Sequence, residues 1–120
     1  MDADFVKHFA IDWIDSWNSH DLKRILAHYA DDFEMTSPKI IQLAHETSGT
    51  LRGKIAVGNY WATALHLIPN LQFELVHTLT GVNSITLYYR SVNQQLAAEV
   101  FHFNTQQKVS QAFAHYLVLD

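Results

Sequence analysis

The sequence predicts an α+β fold, and three observations carry that reading. Apolar residues recur at three- and four-residue spacing through much of the first half. Beyond residue 70 they alternate as in strands. Between these patterns, WNSHDLKRILAHYADDFEMTSP (17–38) combines a helix stop, a capped restart, two acids and a strand that ends at proline.

The first helix is predicted over 3–17, where Phe5, Val6, Phe9, Ala10, Trp13, Ile14 and Trp17 form one stripe. Asn18 or Ser19 can cap a second helix over 20–30, with Asp21 in its first turn and Leu22, Ile25, Leu26 and Tyr29 inward. Asp31-Asp32 ends that helix, and 33–37 is a short strand stopped by Pro38. Residues 39–52 show no clean period and read as a long loop or lid. Gly53 precedes a third helix over 54–67, which Pro69-Asn70 terminates. Four strands follow at 71–80, 84–92, 96–104 and 108–119, joined by short turns at 81–83, 93–95 and 105–107 as an antiparallel meander.

Composition narrows the function classes. Apolar residues at 48% and charged residues at 17% support a packed core in one 120-residue domain. Lys and Arg are sparse and net charge is −4, so no basic face for nucleic acid is expected. With no cysteine there is no disulfide, thiol nucleophile or thiolate metal site. The N-terminus MDADFVKHF lacks the pattern of a signal peptide, and no apolar run reaches membrane-spanning length, so a cytoplasmic, non-membrane protein is expected. Eight histidines raise the question of a metal, but none are paired at i, i+3 or i+4 and no HExxH occurs; no metal is expected. No phosphate loop or dinucleotide fingerprint appears, so no cofactor is expected either.

The opening stretch, the segment SGTLRGKIAVGNYW and a meander ending KVSQAFAHY together resemble the SnoaL-like branch of the NTF2-like superfamily, over nearly the whole chain. The resemblance implies a cone, in which three N-terminal helices pack on a strongly curved antiparallel sheet with a cavity at the open end. The superfamily spans polyketide cyclases, ketosteroid isomerases, dehydratases and epoxide hydrolases; with the aromatic supply of this chain, a small apolar, cyclic or polyketide-like ligand, cofactor-free cyclase- or isomerase-type chemistry and a homodimer are expected. The superfamily includes non-enzymatic binding and association domains, so the residues have to choose.

Glu99 is the candidate acid–base residue. It interrupts the apolar strand LAAEVFHF, where alternation places Ala97, Glu99, Phe101 and Phe103 on one face. Ala112, Ala114 and Tyr116 share a face of the next strand, and a plausible register sets the alanines opposite Glu99 and Ala97. Small neighbours leave a void, and desolvation there raises the carboxyl above its ordinary range. A different turn length instead pairs Glu99 with Arg90, whereas a three-residue turn places Tyr89 on its face. By resemblance to ketosteroid isomerases, their base aspartate falls on Ser37, their oxyanion tyrosine on Trp13 and their protonated oxyanion acid on Glu99; only the last keeps a carboxyl group.

Trp13, Trp17, Tyr29, Met35, Tyr60, Trp61, Leu65 and Phe101 are expected as an aromatic pocket wall, each also able to serve as plain core. Asp31 and Asp32 read as turn acids, His20 as part of the helix restart, and His45-Glu46 as a weaker chemical pair near the mouth. Three functions stay open: an enzyme using Glu99, a binding module without turnover, and an association domain working through the sheet face that carries Val100, His102, Phe113 and His115.

Overall fold

In the computed structural model, which describes residues 1–118, the chain begins with α1, Ala3–Asn18. The Asp2 carboxylate caps it by accepting from the Phe5 amide at 3.1 Å. Val6, Phe9, Ala10, Trp13 and Trp17 are buried along the predicted stripe. Each large side chain so buried contributes about 1.5–3 kcal/mol relative to exposure.

The restart differs from the expectation. His20 turns the chain at φ 58°, and Asp21 is itself the cap of α2, Leu22–Leu26, accepting from the Arg24 amide at 3.2 Å. Asn18 instead clamps Phe73, through its side-chain oxygen at 2.6 Å and its amide nitrogen at 2.9 Å. The predicted helix over 20–30 is cut short because the sheet takes its end. Val109 donates to the His28 carbonyl, and β1 runs from Tyr29 to Thr36. Asp31 and Asp32 lie in an exposed irregularity of β1, not at a helix end, and Asp31 faces Lys54 at 3.6 Å.

The segment read as a loop holds two elements. Ser37 caps α3, Pro38–Leu43, so Pro38 opens a helix at its first position rather than only closing a strand. Ile40, fully buried, anchors it. After it, β2, Thr50–Arg52, pairs antiparallel with β1. Gly53, at φ 88°, precedes α4, Lys54–Leu67, at the predicted bounds. The described residues therefore hold four α-helices where three were expected.

The meander is present as β3 (Glu74–Gly81), β4 (Ser84–Arg90), β5 (Leu96–Phe103) and β6 (Val109–Tyr116). β3 starts later than expected because Leu71 and Phe73 turn inward to the helices. The predicted strand over 108–119 ends at Tyr116, and Leu119 lies outside the described residues. Sheet order is β2-β1-β6-β5-β4-β3. Every pairing is antiparallel except β1 with β6. The sheet wraps the helical layer, with α1 reaching β3 and α4 reaching β1.

Registers settle the alternatives around Glu99. The β4–β5 link spans Ser91 to Gln95, closed by the Ser91 amide donating to the Gln95 carbonyl at 2.7 Å. Tyr89 pairs with Ala97 and so shares the inner face with Glu99. Arg90 faces Glu74 on the neighbouring strand at 3.2 Å rather than Glu99. Glu99 lies opposite Ala114, and Phe101 opposite Ala112, two residues from the expected pairing but on the same face.

Candidate functional site

Where α1 ends and β5 turns from aromatic to small residues, the core opens into a cavity of about 80 Å³. One water needs about 10–15 Å³ of such space, so several waters or one compact organic group would fit. Helix α1 contributes Trp13 and Trp17, and α4 contributes Tyr60, Trp61, Ala64 and Ile68. Met35 and Ser37 come from the end of β1, and Lys39 and Leu43 from α3. Tyr89, Glu99 and Tyr116 come from three adjacent strands. Of the other residues expected in the wall, Tyr29, Phe101, Ala112 and Ala114 are buried core behind the cavity surface. Leu65 packs against that core without reaching the surface of the cavity.

Glu99 is 4% exposed and is the single acid of the wall. The Tyr89 hydroxyl donates to its Oε1 at 3.1 Å. Burial pushes the carboxyl up to about 7, and the Tyr89 hydrogen bond opposes that rise only in part. Four of the five tyrosines, 29, 60, 89 and 116, feel its charge. Burial and the Glu99 charge push Tyr60 up to about 12. The same two causes, burial first, hold Tyr29, Tyr89 and Tyr116 further above the ordinary phenol range. The site thus has one group that changes protonation near neutral pH, among phenols that stay protonated.

Two positions highlighted by the isomerase resemblance have their polar atoms engaged. The Trp13 indole donates to the Tyr29 hydroxyl at 2.9 Å, and Ser37 Oγ accepts from the Lys39 amide at 3.2 Å. The indole N–H of Trp17, buried in the wall, has no acceptor among the described residues. His45 and Glu46 are exposed and outside the cavity wall; Glu46 accepts from Ser48 within its own loop. His20 bonds the Leu71 carbonyl at 2.9 Å, a structural tie. His115 is exposed on the other face of the sheet. Among the described residues, no three His, Asp or Glu side chains gather as a metal set, and no helix is long and apolar enough to cross a membrane.

Sequence reasoning missed Lys39, Leu43, Ala64, Ile68, Leu71, Phe73, Ser91 and Val92 in the wall. The signal for the first two was present: serine then proline is a helix start, which places the next residues at the mouth. Leu43, Tyr60 and Ala64 also border an outer groove of about 300 Å³ between α3 and α4, so they form the partition between groove and cavity.

The chain belongs to the SnoaL-like family, whose domain model matches residues 10–117. A SnoaL-like protein of unknown function from Burkholderia thailandensis E264 is 52% identical, with 98% of each chain covered and a TM-score of 0.95. At 14% identity, a candidate isomerase of the SnoaL-like family from Agrobacterium tumefaciens C58 superposes with a TM-score of 0.76 over 96% of this chain and 99% of its own. A protein of unknown function with a cystatin-like fold from Methylobium petroleophilum PM1 does so at 15% identity, with a TM-score of 0.78 over 100% and 80%. The latter two likenesses speak to fold alone. No protein of curated function matches the sequence.

Proposed function

We propose that this chain binds a small, mostly apolar molecule carrying one carbonyl or hydroxyl oxygen, and that Glu99 exchanges a proton with it without a cofactor. The observation that carries this reading is the Glu99 carboxyl itself, buried on a cavity wall built mostly from aromatic and aliphatic side chains. A general acid–base group works best when it titrates near the working pH, and burial moves Glu99 there. In the ionised form it takes a proton from the carbon beside a carbonyl, leaving an enolate. It then returns the proton to that carbon, or to the γ carbon where a β,γ double bond is conjugated with the enolate, so no oxidant or reductant is consumed. Small cyclic compounds suit the volume; polycyclic polyketides would have to extend through the mouth.

A second reading, binding without turnover, is favoured by the engagement of Trp13 and Ser37, which leaves Glu99 without a second acid–base partner from those positions. Deuterium uptake separates the two. Small cyclic ketones incubated with the protein in D2O are expected to gain deuterium beside the carbonyl faster than in buffer, and Glu99→Gln is expected to remove the excess. Equal uptake with wild type, variant and buffer would leave the binding reading in place. The proposal includes a homodimer through the outer sheet face, where Val100 and Phe113 are half-buried and His102 is exposed. Light scattering at micromolar concentration checks that part, with a monomer counting against it.

A further inference from the structure

The mouth of the cavity carries a cation that the fold does not neutralise. Among the described residues, Arg24, Arg52, Lys54 and Arg90 each lie within 4.0 Å of a carboxylate, and Lys39 takes part in no such pair. Lys7 and Lys23 are exposed, and Lys108 donates to the Ala27 carbonyl. Lys39 is instead half-buried in the cavity wall, its Nζ 4.3 Å from the centre of the Tyr116 ring. Taking an ammonium partly out of water costs free energy, and the ring face offsets only part of that cost. Burial accordingly lowers its pKa from the ordinary lysine value.

Its position is fixed by the surrounding backbone. The Lys39 amide donates to Ser37 Oγ, the Ser37 amide donates to the Gly49 carbonyl at 2.9 Å, and buried Ile40 anchors the same short helix. Tyr116, under the ammonium, is also a wall residue within reach of the Glu99 charge. The cavity therefore has a polarity along its length, with an unneutralised cation at its mouth, apolar aromatics between, and a carboxyl group deep inside.

Resting on the binding reading above, we propose that the natural ligand is a small organic acid whose carboxylate is received by the Lys39 ammonium while its apolar body enters the cavity toward Glu99. An anion at Lys39 gains a charge-assisted contact in a partly desolvated place, where such contacts are strongest. An uncharged amide of the same shape offers the ammonium only a neutral acceptor, a weaker contact.

Matched probes test this. Butyrate against butyramide, and cyclopentanecarboxylate against its carboxamide, differ in charge far more than in shape. All three tryptophans of the chain line the cavity, so their indole N–H resonances report binding. The acids are expected to bind about tenfold more tightly than the amides. Lys39→Gln is expected to abolish that preference by weakening the acids far more than the amides, and Lys39→Arg to retain it. Equal affinity for acids and amides, or a preference that survives in Lys39→Gln, overturns the inference while the amide titrations still uphold a ligand cavity. If neither series moves the indole resonances at millimolar concentration, the inference and the binding reading fail together.

Discussion

The two ends of the cone are built from the same elements to opposite effect. At one end α1 supplies Phe5 and Phe9 and β5 supplies Phe101 and Phe103. Their rings meet edge to face at 5.0 to 5.4 Å in three pairs, Phe5–Phe103, Phe9–Phe101 and Phe9–Phe103. Two turns further along α1 stand Trp13 and Trp17, and two residues back along β5 stands Glu99, opposite Ala114. Large groups facing large groups fill the first end. At the second, a carboxyl and small residues leave space that the tryptophans border without filling. A cavity here is a local change of side-chain size along elements that remain continuous.

The largest expected effect breaks the filled end. Phe101 is fully buried and touches both Phe9 and Trp13, so Phe101→Ala is expected to cost about 3–5 kcal/mol in urea unfolding. A loss below about 1 kcal/mol would show that this end is as loosely filled as the other.

At the open end the expected signature is pH dependence. The folded Glu99 titrates at about 7 against 4.5 for the free side chain. Between those values the unfolded chain ionises while the fold keeps the proton, so the unfolded state binds fewer protons and stability falls as pH rises. The loss amounts to about 3 kcal/mol and is complete above about pH 7. Urea midpoints from pH 4 to 8 should show the decline in wild type and a flatter profile in Glu99→Gln. Identical profiles would place Glu99 in a wetter setting than its burial indicates.

Tyr89→Phe sharpens the same end more gently. It removes the hydrogen bond that holds the Glu99 carboxyl down, at about 1 kcal/mol near neutral pH. The declining limb should extend to higher pH than in wild type. The smallest effect is expected at the mouth. Lys39→Gln should change stability by no more than about 0.5 kcal/mol, since Lys39 takes part in none of the ion pairs of the described residues.

Long periodic segments were legible from sequence, because burial on one face imposes a period that no neighbour has to supply. That is why α1, α4 and the four-strand meander stand close to their expected places. The inward face of β5 was legible for the same reason. The second helix was misread because residues 27–30 satisfy a helical pattern locally, yet Val109, far along the chain, captures the His28 carbonyl. The α3 segment was missed because six residues are too few for a period, leaving only the Ser37-Pro38 start signal. Lys39 was missed as a consequence, since its meaning lies in the position of Tyr116 beneath it.

The parallel pairing of β1 with β6 places a late strand at the middle of the sheet, between β1 and β5. Within the sheet, the first two strands are joined to the meander only through residues 109–116, whereas α1 packs on β3 and β5 directly. That pairing joins residues about two thirds of the chain apart, and its loop-closure entropy is large unless contacts such as Phe9–Phe101 have already drawn the halves together. The assembly of this protein is therefore expected to be slow and cooperative at one seam. Destabilising substitutions in β6 should retard folding itself, whereas comparable ones at the edge strand β2 should chiefly hasten unfolding.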